Sequence, residues 1–343
     1  MNQKNNILLI SPIAPPDGGM STLAKSIIYG LKNNGYNVDI LNTNKFLGFV
    51  SNIYVLKIFQ FFYYMRSLLF KISKSKLIFI ISSSGNYYYF KAIPALITSK
   101  ILRKKIIINF VGGALNEKSF IFKSINFFDK IIVPTNYMKN LFLKSGIQVS
   151  KYPNMVNTEK FKSKTKIENF KILCAKSLTK YSNVKSLVIA FQKIKKKIPD
   201  AVLEIAGNGP EKENLLNYIN KNNIKDVRFL GNVNHSEMPN TLMNSDIFFH
   251  GTKYESFGIV LIEAMAAGVP VISSNVGGIS ELIINNKNGI LVEYDNSESF
   301  ARNALELYNN NSLRNLIIAN GFKTSENYSV KNLISGFIKI IEK

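Results

Sequence analysis

The chain has 343 residues, with 44 Lys or Arg against 22 Asp or Glu and a formal net charge of +22. A hydrophobic share of 46% with 19% charged residues excludes a disordered or fibrous chain and suffices for two cores of ordinary domain size. One cysteine, Cys174, and two histidines, His235 and His250, exclude a disulfide framework, a cysteine-based zinc cluster and a His-rich metal centre, and point to a reducing compartment.

In chain order, the apolar runs Ile7–Ser11, Asn37–Leu41, Leu77–Ser82, Lys105–Phe110 and Lys130–Pro134 read as strands. Helix-length segments such as Thr22–Asn33 and Asn136–Lys144 lie between them. The first run is cut short by Pro12, Pro15 and Pro16, so no secretory signal is expected. From about Phe170 the rhythm restarts with Lys171–Ala175, Ala201–Ala206, Val227–Leu230, Ile247–His250, Val269–Ser273 and Gly289–Val292. Strand–helix alternation at this spacing predicts an α/β protein of two successive doubly wound halves. The lysine-rich stretch Tyr152–Ile167 is the expected linker. The expected domains are 1–160 and 161–325, with a C-terminal helix over 326–343 packing back on the first.

The basic excess is uneven. Residues 1–168 carry 24 basic and 6 acidic side chains (+18), while 169–343 carry 20 and 16 (+4), so the halves suit different partners. Residues Phe46–Lys76 combine dense aromatics with lysines and contain no acid. Lys57, Gln60, Tyr64, Ser67, Lys71 and Lys74 recur at spacings of three and four, a narrow polar stripe on an otherwise apolar helix. Two readings stand: a helix buried against its own sheet, or one lying in a membrane interface with its lysines at anionic headgroups. The interruptions at Lys57, Gln60 and Arg66 argue against a spanning helix.

The strongest local signal runs from Tyr254 to Val271. The strand Ile247–His250 feeds a loop, and a helix is expected to open near Ser256, its first-turn amides free to hold an anion. Glu255 stands just before that turn and Glu263 eight residues on. An acid at a phosphate-binding helix start would be repulsive, so Glu255 is read as facing a neutral polyol such as a sugar. Glu263 is read as accepting hydrogen bonds from a ribose diol.

With Glu204-Ile205-Ala206-Gly207-Asn208-Gly209-Pro210-Glu211, Val227–Val233, Gly277–Glu281 and Asn288–Val292, this string resembles the donor domain of retaining glycosyltransferases of family 4, which have the GT-B fold. The resemblance covers Phe170–Leu307. It implies two Rossmann-like domains facing across a cleft and transfer of a sugar from a UDP- or GDP-sugar. It places Glu255 by the transferred sugar, Glu263 on the ribose, and the amides of Phe257, Gly258 and Ile259 on the diphosphate, with Gly207, Asn232 and Val233 nearby. Pro15–Gly19 looks like the family's glycine loop, in which Gly18 and Gly19 let the backbone approach donor and acceptor.

Two departures stand out. The places of the family's Arg and Lys, which neutralise the leaving diphosphate, hold Ser177 and Ser182; Lys176 and Lys180 are the nearby substitutes. The region after the fourth strand, Asn109–Gly113, has no His, which leaves Gly112 and Gly113 as the acceptor-side candidates. His250 is read as a packing residue or a sugar contact. No cofactor and no metal are expected, there being no Asp-x-Asp pair. The +18 half suggests an anionic or polyprenyl-diphosphate-linked acceptor, as in surface polysaccharide synthesis, at the inner face of the cytoplasmic membrane. A nucleotide-sugar epimerase or another GT-B enzyme is the alternative; a nucleic-acid-binding module lacks any recognised motif.

Overall fold

The computed structural model describes residues 6–13, 18–44, 54–112, 120–161 and 170–343, the side chains of 54–60 excepted. Pro15, Pro16, Asp17, Gly113, the Phe46–Ile53 start of the aromatic segment and part of the expected linker lie outside them. The chain divides into one unit of residues 1–155 and 330–343 and a second of 156–329.

The first unit runs β1 (Ile7–Ser11), α1 (Gly19–Asn33), β2 (Val38–Asn42), α2 (Tyr54–Lys74), β3 (Leu77–Ser82), α3 (Ile93–Ile101), β4 (Lys105–Phe110), α4 (Phe120–Ser124), β5 (Lys130–Val133), α5 (Asn136–Lys144) and β6 (Ser150–Lys151). Its sheet has the order β2-β1-β3-β4-β5-β6, and every pairing is parallel. The central strands β1 and β3 are buried along their whole length, as parallel strands covered on both faces must be.

The aromatic segment forms α2, but its burial differs from the stripe expected. Tyr64, a member of that stripe, is fully buried with Leu68 and Ile72, and its hydroxyl donates to the Lys91 carbonyl at 3.0 Å. Phe62, Tyr63, Leu69 and Phe70 are exposed instead. So many apolar residues encircle this helix that its sheet can cover only one side. Of the expected linker, Tyr152 packs in the first unit, its ring 6.0 Å from Phe337, whereas Val156 and Phe161 belong to the second unit's core.

The second unit runs β7 (Lys171–Ala175), α6 (Val184–Lys195), β8 (Val202–Ala206), α7 (Lys212–Lys221), β9 (Val227–Gly231), α8 (Met238–Met243), β10 (Ile247–His250), α9 (Ile259–Ala266), β11 (Val271–Ser274), α10 (Ile279–Leu282), β12 (Ile290–Val292), α11 (Ser297–Asn309) and α12 (Asn311–Asn327). Its parallel sheet has the order β12-β11-β10-β7-β8-β9. Progression from β7 goes outward through β8 and β9 on one side and, after α8, through β10, β11 and β12 on the other. The strand order therefore reverses between β7 and β10, where such sheets open a crevice at the strands' carboxyl ends.

The last helix, α13 (Val330–Glu342), is part of the first unit. Phe337 packs edge-on against Phe79 at 5.3 Å. Lys130 donates to the Ile340 carbonyl at 2.8 Å and Lys105 to the Ile341 carbonyl at 3.3 Å, satisfying carbonyls the helix end leaves open and opposing its dipole. Gly30 lets α1 approach: a Cβ there would lie 2.6 Å from Cδ1 of Ile334.

Candidate functional site

The switch point between β7 and β10 is where the expected site residues meet. Ala175 ends β7 and Lys176 follows it; His250 is the last residue of β10, which pairs β7 in parallel register. The loop after β10 then turns back over the crevice, held at several points. Within it, the Thr252 hydroxyl donates to the Tyr254 carbonyl at 2.9 Å. The Lys253 amide donates to the Tyr181 carbonyl at 2.8 Å, and the Gly278 amide to the Glu255 carbonyl at 2.9 Å. Phe257 is buried against Tyr328, ring centroids 5.5 Å apart.

These restraints place three polar groups together. The Lys176 ammonium donates to Oε2 of Glu255 at 3.1 Å and lies 3.4 Å from Nε2 of His250. His250 Nε2 is 3.4 Å from the same carboxylate oxygen. His250 is buried, and desolvation, aided by the Lys176 charge, pushes its imidazole down to about 4, so it is neutral near pH 7. Burial pushes the Glu255 carboxyl up, but the Lys176 ammonium and the His250 hydrogen bond outweigh it and hold the group well below the ordinary carboxylate range. The cluster is a carboxylate–ammonium pair backed by a neutral imidazole. Cys174, one residue inside β7, is buried and its thiol is pushed up to about 12, which leaves it no nucleophilic role at neutral pH.

The helix expected near Ser256 opens at Ile259. Gly258 is its N-cap and is left-handed, φ 91°, so the helix cannot continue back through it. A Cβ on Gly258 would also lie 2.8 Å from Cδ1 of Leu261, which makes glycine the fitting residue twice over. Among the described residues the amides of Ile259 and Val260 donate to no backbone carbonyl, the ordinary state of a helix start and one suited to an anion. Glu263, on the next turns of α9, is 4% exposed, with Oε1 4.0 Å from Nδ1 of His235.

Other candidates have different settings. Lys180 is exposed, in a short 3-10 turn, and it is Lys176 that makes the ion pair with Glu255. The Ser182 hydroxyl donates to the Ser177 carbonyl, so the two serines standing where the family has cations build that turn. Gly207 has a packing reason of its own: a Cβ would fall 2.0 Å from the Lys176 carbonyl oxygen, so it permits β8's loop to run against β7's. Asn232 is exposed beyond β9, while Val233 packs on the core that includes Phe257. In the first unit, Gly18 is extended and Gly19 begins α1; among the described residues a Cβ on Gly18 would meet nothing within 4 Å. Gly112 has φ 137°, and its carbonyl accepts from the Ser84 amide at 2.9 Å. His250 and His235 are the residues sequence reading left without a firm role. The signal for His250 was its position at a strand's carboxyl end, five residues before Glu255. Among the described residues no group of three or more His, Cys, Asp or Glu could hold a metal ion.

Two parallel α/β sheets of this topology define the GT-B class of glycosyltransferases. Residues 155–324 match the family model described as glycosyl transferases group 1; the second unit is similar to that family, and the chain is a glycosyltransferase. It is 27% identical to an uncharacterized glycosyltransferase of Methanocaldococcus jannaschii over 98% of both chains. It is 38% identical to the N-acetyl-alpha-D-glucosaminyl L-malate synthase of Bacillus anthracis over 39% of this chain and 35% of that one. Among solved structures, Anabaena Alr3699/HepE in complex with UDP and glucose superposes with a TM-score of 0.78 at 16% identity, covering 99% of this chain and 100% of that one.

Proposed function

We propose that the chain transfers a sugar from a UDP- or GDP-sugar to an acceptor hydroxyl with retention of anomeric configuration. The observation that carries this reading is the Lys176–Glu255–His250 cluster at the β7/β10 switch point, beside the Gly258 turn that opens α9. In this reading the amides of Phe257, Gly258 and Ile259 and the Lys176 ammonium face the diphosphate, Glu255 the transferred sugar, and Glu263 the ribose.

The bond between the anomeric carbon and the diphosphate oxygen breaks with its electron pair going to that oxygen. A new bond forms from the acceptor oxygen on the same face, and the acceptor proton passes to the departing phosphate. Charge thus accumulates on the diphosphate while the sugar becomes cationic. Amides fixed at a helix start and a placed ammonium stabilise the first without reorganising, usually the largest catalytic contribution. An ionised Glu255 stabilises the second. Because Lys176 already neutralises Glu255, a diphosphate can enter beside the carboxylate without meeting a bare negative charge.

The Anabaena protein, solved with UDP and glucose, supports a uridine donor. The +18 balance of residues 1–168 supports a polyprenyl-diphosphate-linked acceptor at an anionic membrane surface. The test is a thermal-shift panel of UDP, GDP and their sugars, followed by turnover with lipid-linked acceptors. A melting temperature raised by a nucleoside diphosphate, with sugar transfer by the matching donor, is expected. A chain insensitive to every nucleotide would overturn the reading.

A further inference from the structure

Among the described residues, the first unit has an apolar surface that no other part of the unit covers. On α2, Phe62, Tyr63, Leu69 and Phe70 are exposed, Phe62 by 65% and Phe70 by 59%; on α3, Ile97 and Ile101 are exposed, the latter by 71%. The two helices lie on the same face of the sheet. Both β2→β3 and β3→β4 step in the same direction across it, and right-handed crossovers then put both helices on one side. Their buried residues form one core: Tyr64, Leu68 and Ile72 of α2 with Ala95 and Leu96 of α3. Phe90, in the π-helical turn leading into α3, extends the surface and is 59% exposed.

The charge around this surface is predominantly basic. Residues 40–116 contain eleven Lys or Arg and no Asp or Glu. Arg66 and Lys74 on α2, with Arg103 and Lys104 after α3, have no acidic partner among the described residues. Lys71 and Lys100 pair with Asp39 and Asp129 at 2.5 Å. The Lys74 ammonium lies over the exposed Phe70 ring, 3.8 Å from its centroid, a cation–π contact that sets a positive charge directly beside the apolar surface. Among the described residues no helix is long and apolar enough to cross a membrane.

We propose that this α2–α3 face docks on an anionic bilayer, the aromatic and aliphatic side chains entering the acyl boundary and the cations meeting the headgroups. The inference rests on the membrane surface named under the proposed function and gives it an address. The charge pattern selects the occupant. A second copy of this chain would bring a like-charged surface against its own, whereas anionic headgroups supply the missing counter-charge. Each cation near such a surface contributes about 1 kcal/mol, and the inserted rings add salt-independent attraction.

The chain has no tryptophan, so Phe62→Trp provides a single reporter. With vesicles of phosphatidylglycerol and phosphatidylcholine, its emission should shift to the blue and be quenched by lipids brominated on the acyl chain. Phosphatidylcholine alone should do neither. The double variant Phe62→Ser/Phe70→Ser should bind the anionic vesicles at least about tenfold more weakly, with unchanged circular dichroism and an unchanged thermal shift by nucleoside diphosphate. Full binding by the double variant, or an unquenched indole in vesicle-bound Phe62→Trp protein, overturns this face while leaving membrane contact standing. No vesicle binding at low salt overturns both. Self-association of the wild type through this face, abolished by the serine pair, also overturns the proposal. A nucleotide response intact in every case separates these failures from that of the enzyme reading.

Discussion

The ammonium of Lys176 lies 3.1 Å from Oε2 of Glu255, joining the loop that leaves β7 to the loop that leaves β10. Neither residue would be stable there alone. Each is only about one-fifth exposed at its side chain, and removing one partner would leave a poorly solvated charge. Glu255→Gln, which keeps the side chain's shape but leaves the Lys176 charge unpaired, should lower the melting temperature yet retain the fold and nucleotide binding, while lowering turnover by about a hundredfold or more, the scale of losing one electrostatic group aimed at developing charge. Steady-state kinetics alongside calorimetric titration of the nucleoside diphosphate checks both halves of that statement.

Lys176 and Lys180 were equivalent in the sequence and are not in the fold. Lys176→Met should lower turnover strongly and weaken diphosphate binding. Lys180→Met, in an exposed turn, should change either by no more than about threefold, as surface charges generally do. Equal losses from the two variants would place the leaving-group cation elsewhere.

Glu263 is buried on α9 near His235. Glu263→Ala should weaken binding of the nucleoside diphosphate by roughly 1.5–3 kcal/mol through lost hydrogen bonds to a charged acceptor. The variant should discriminate little between that nucleotide and its 2′-deoxy counterpart. Titrating ribo- and deoxyribonucleotides against both proteins tests the ribose role separately from the fold.

His250 sets an acid limit on the second unit. Its folded value of about 4 lies below the ordinary 6.5, so the unfolded chain takes up a proton first as pH falls. The stability from a neutral buried imidazole is fully present above pH 6.5 and declines as pH approaches 4. The loss is on the order of 3 kcal/mol. Glu255, whose value is also depressed, adds to the loss in more acid solution. Melting temperatures should fall across this window in the wild type, and less steeply in His250→Gln. Parallel slopes would remove His250 as the cause.

Gly258→Ala combines a left-handed backbone with a contact to Leu261. The conformational cost alone is roughly 1–2 kcal/mol. Relief by moving the turn would displace the amides that open α9, so nucleotide affinity should fall more than thermal stability. Denaturation and nucleotide titration on the same variant distinguish the two effects.

Two parallel α/β units and the likeness to the group 1 family were legible in residue order alone. Buried parallel strands need unbroken apolar runs, and Ile7–Ser11 or Ile78–Ile81 announce themselves by composition. The order of Glu255, a glycine turn and Glu263 was legible for a similar reason: a helix start that presents amides, and two acids eight residues apart, are local facts. The helix expected near Ser256 opens at Ile259 because Gly258 takes φ 91°, a conformation glycine permits but does not require, and the loop before it is held by the bond from the Gly278 amide to the Glu255 carbonyl, a partner remote in sequence.

Tertiary structure alone decided which cation faces Glu255, because the two lysines stand four residues apart after β7 and only the folding of the β10 loop onto β7 brings the carboxylate to one of them. It alone brought His250 to that pair, since strands far apart in the chain become neighbours only when the sheet's order reverses. It also decided that α2 buries Tyr64 and exposes Phe62 and Phe70. On a helix apolar nearly all round, periodicity names no inward face; that is chosen by the sheet and by α3, through packing that no single segment encodes.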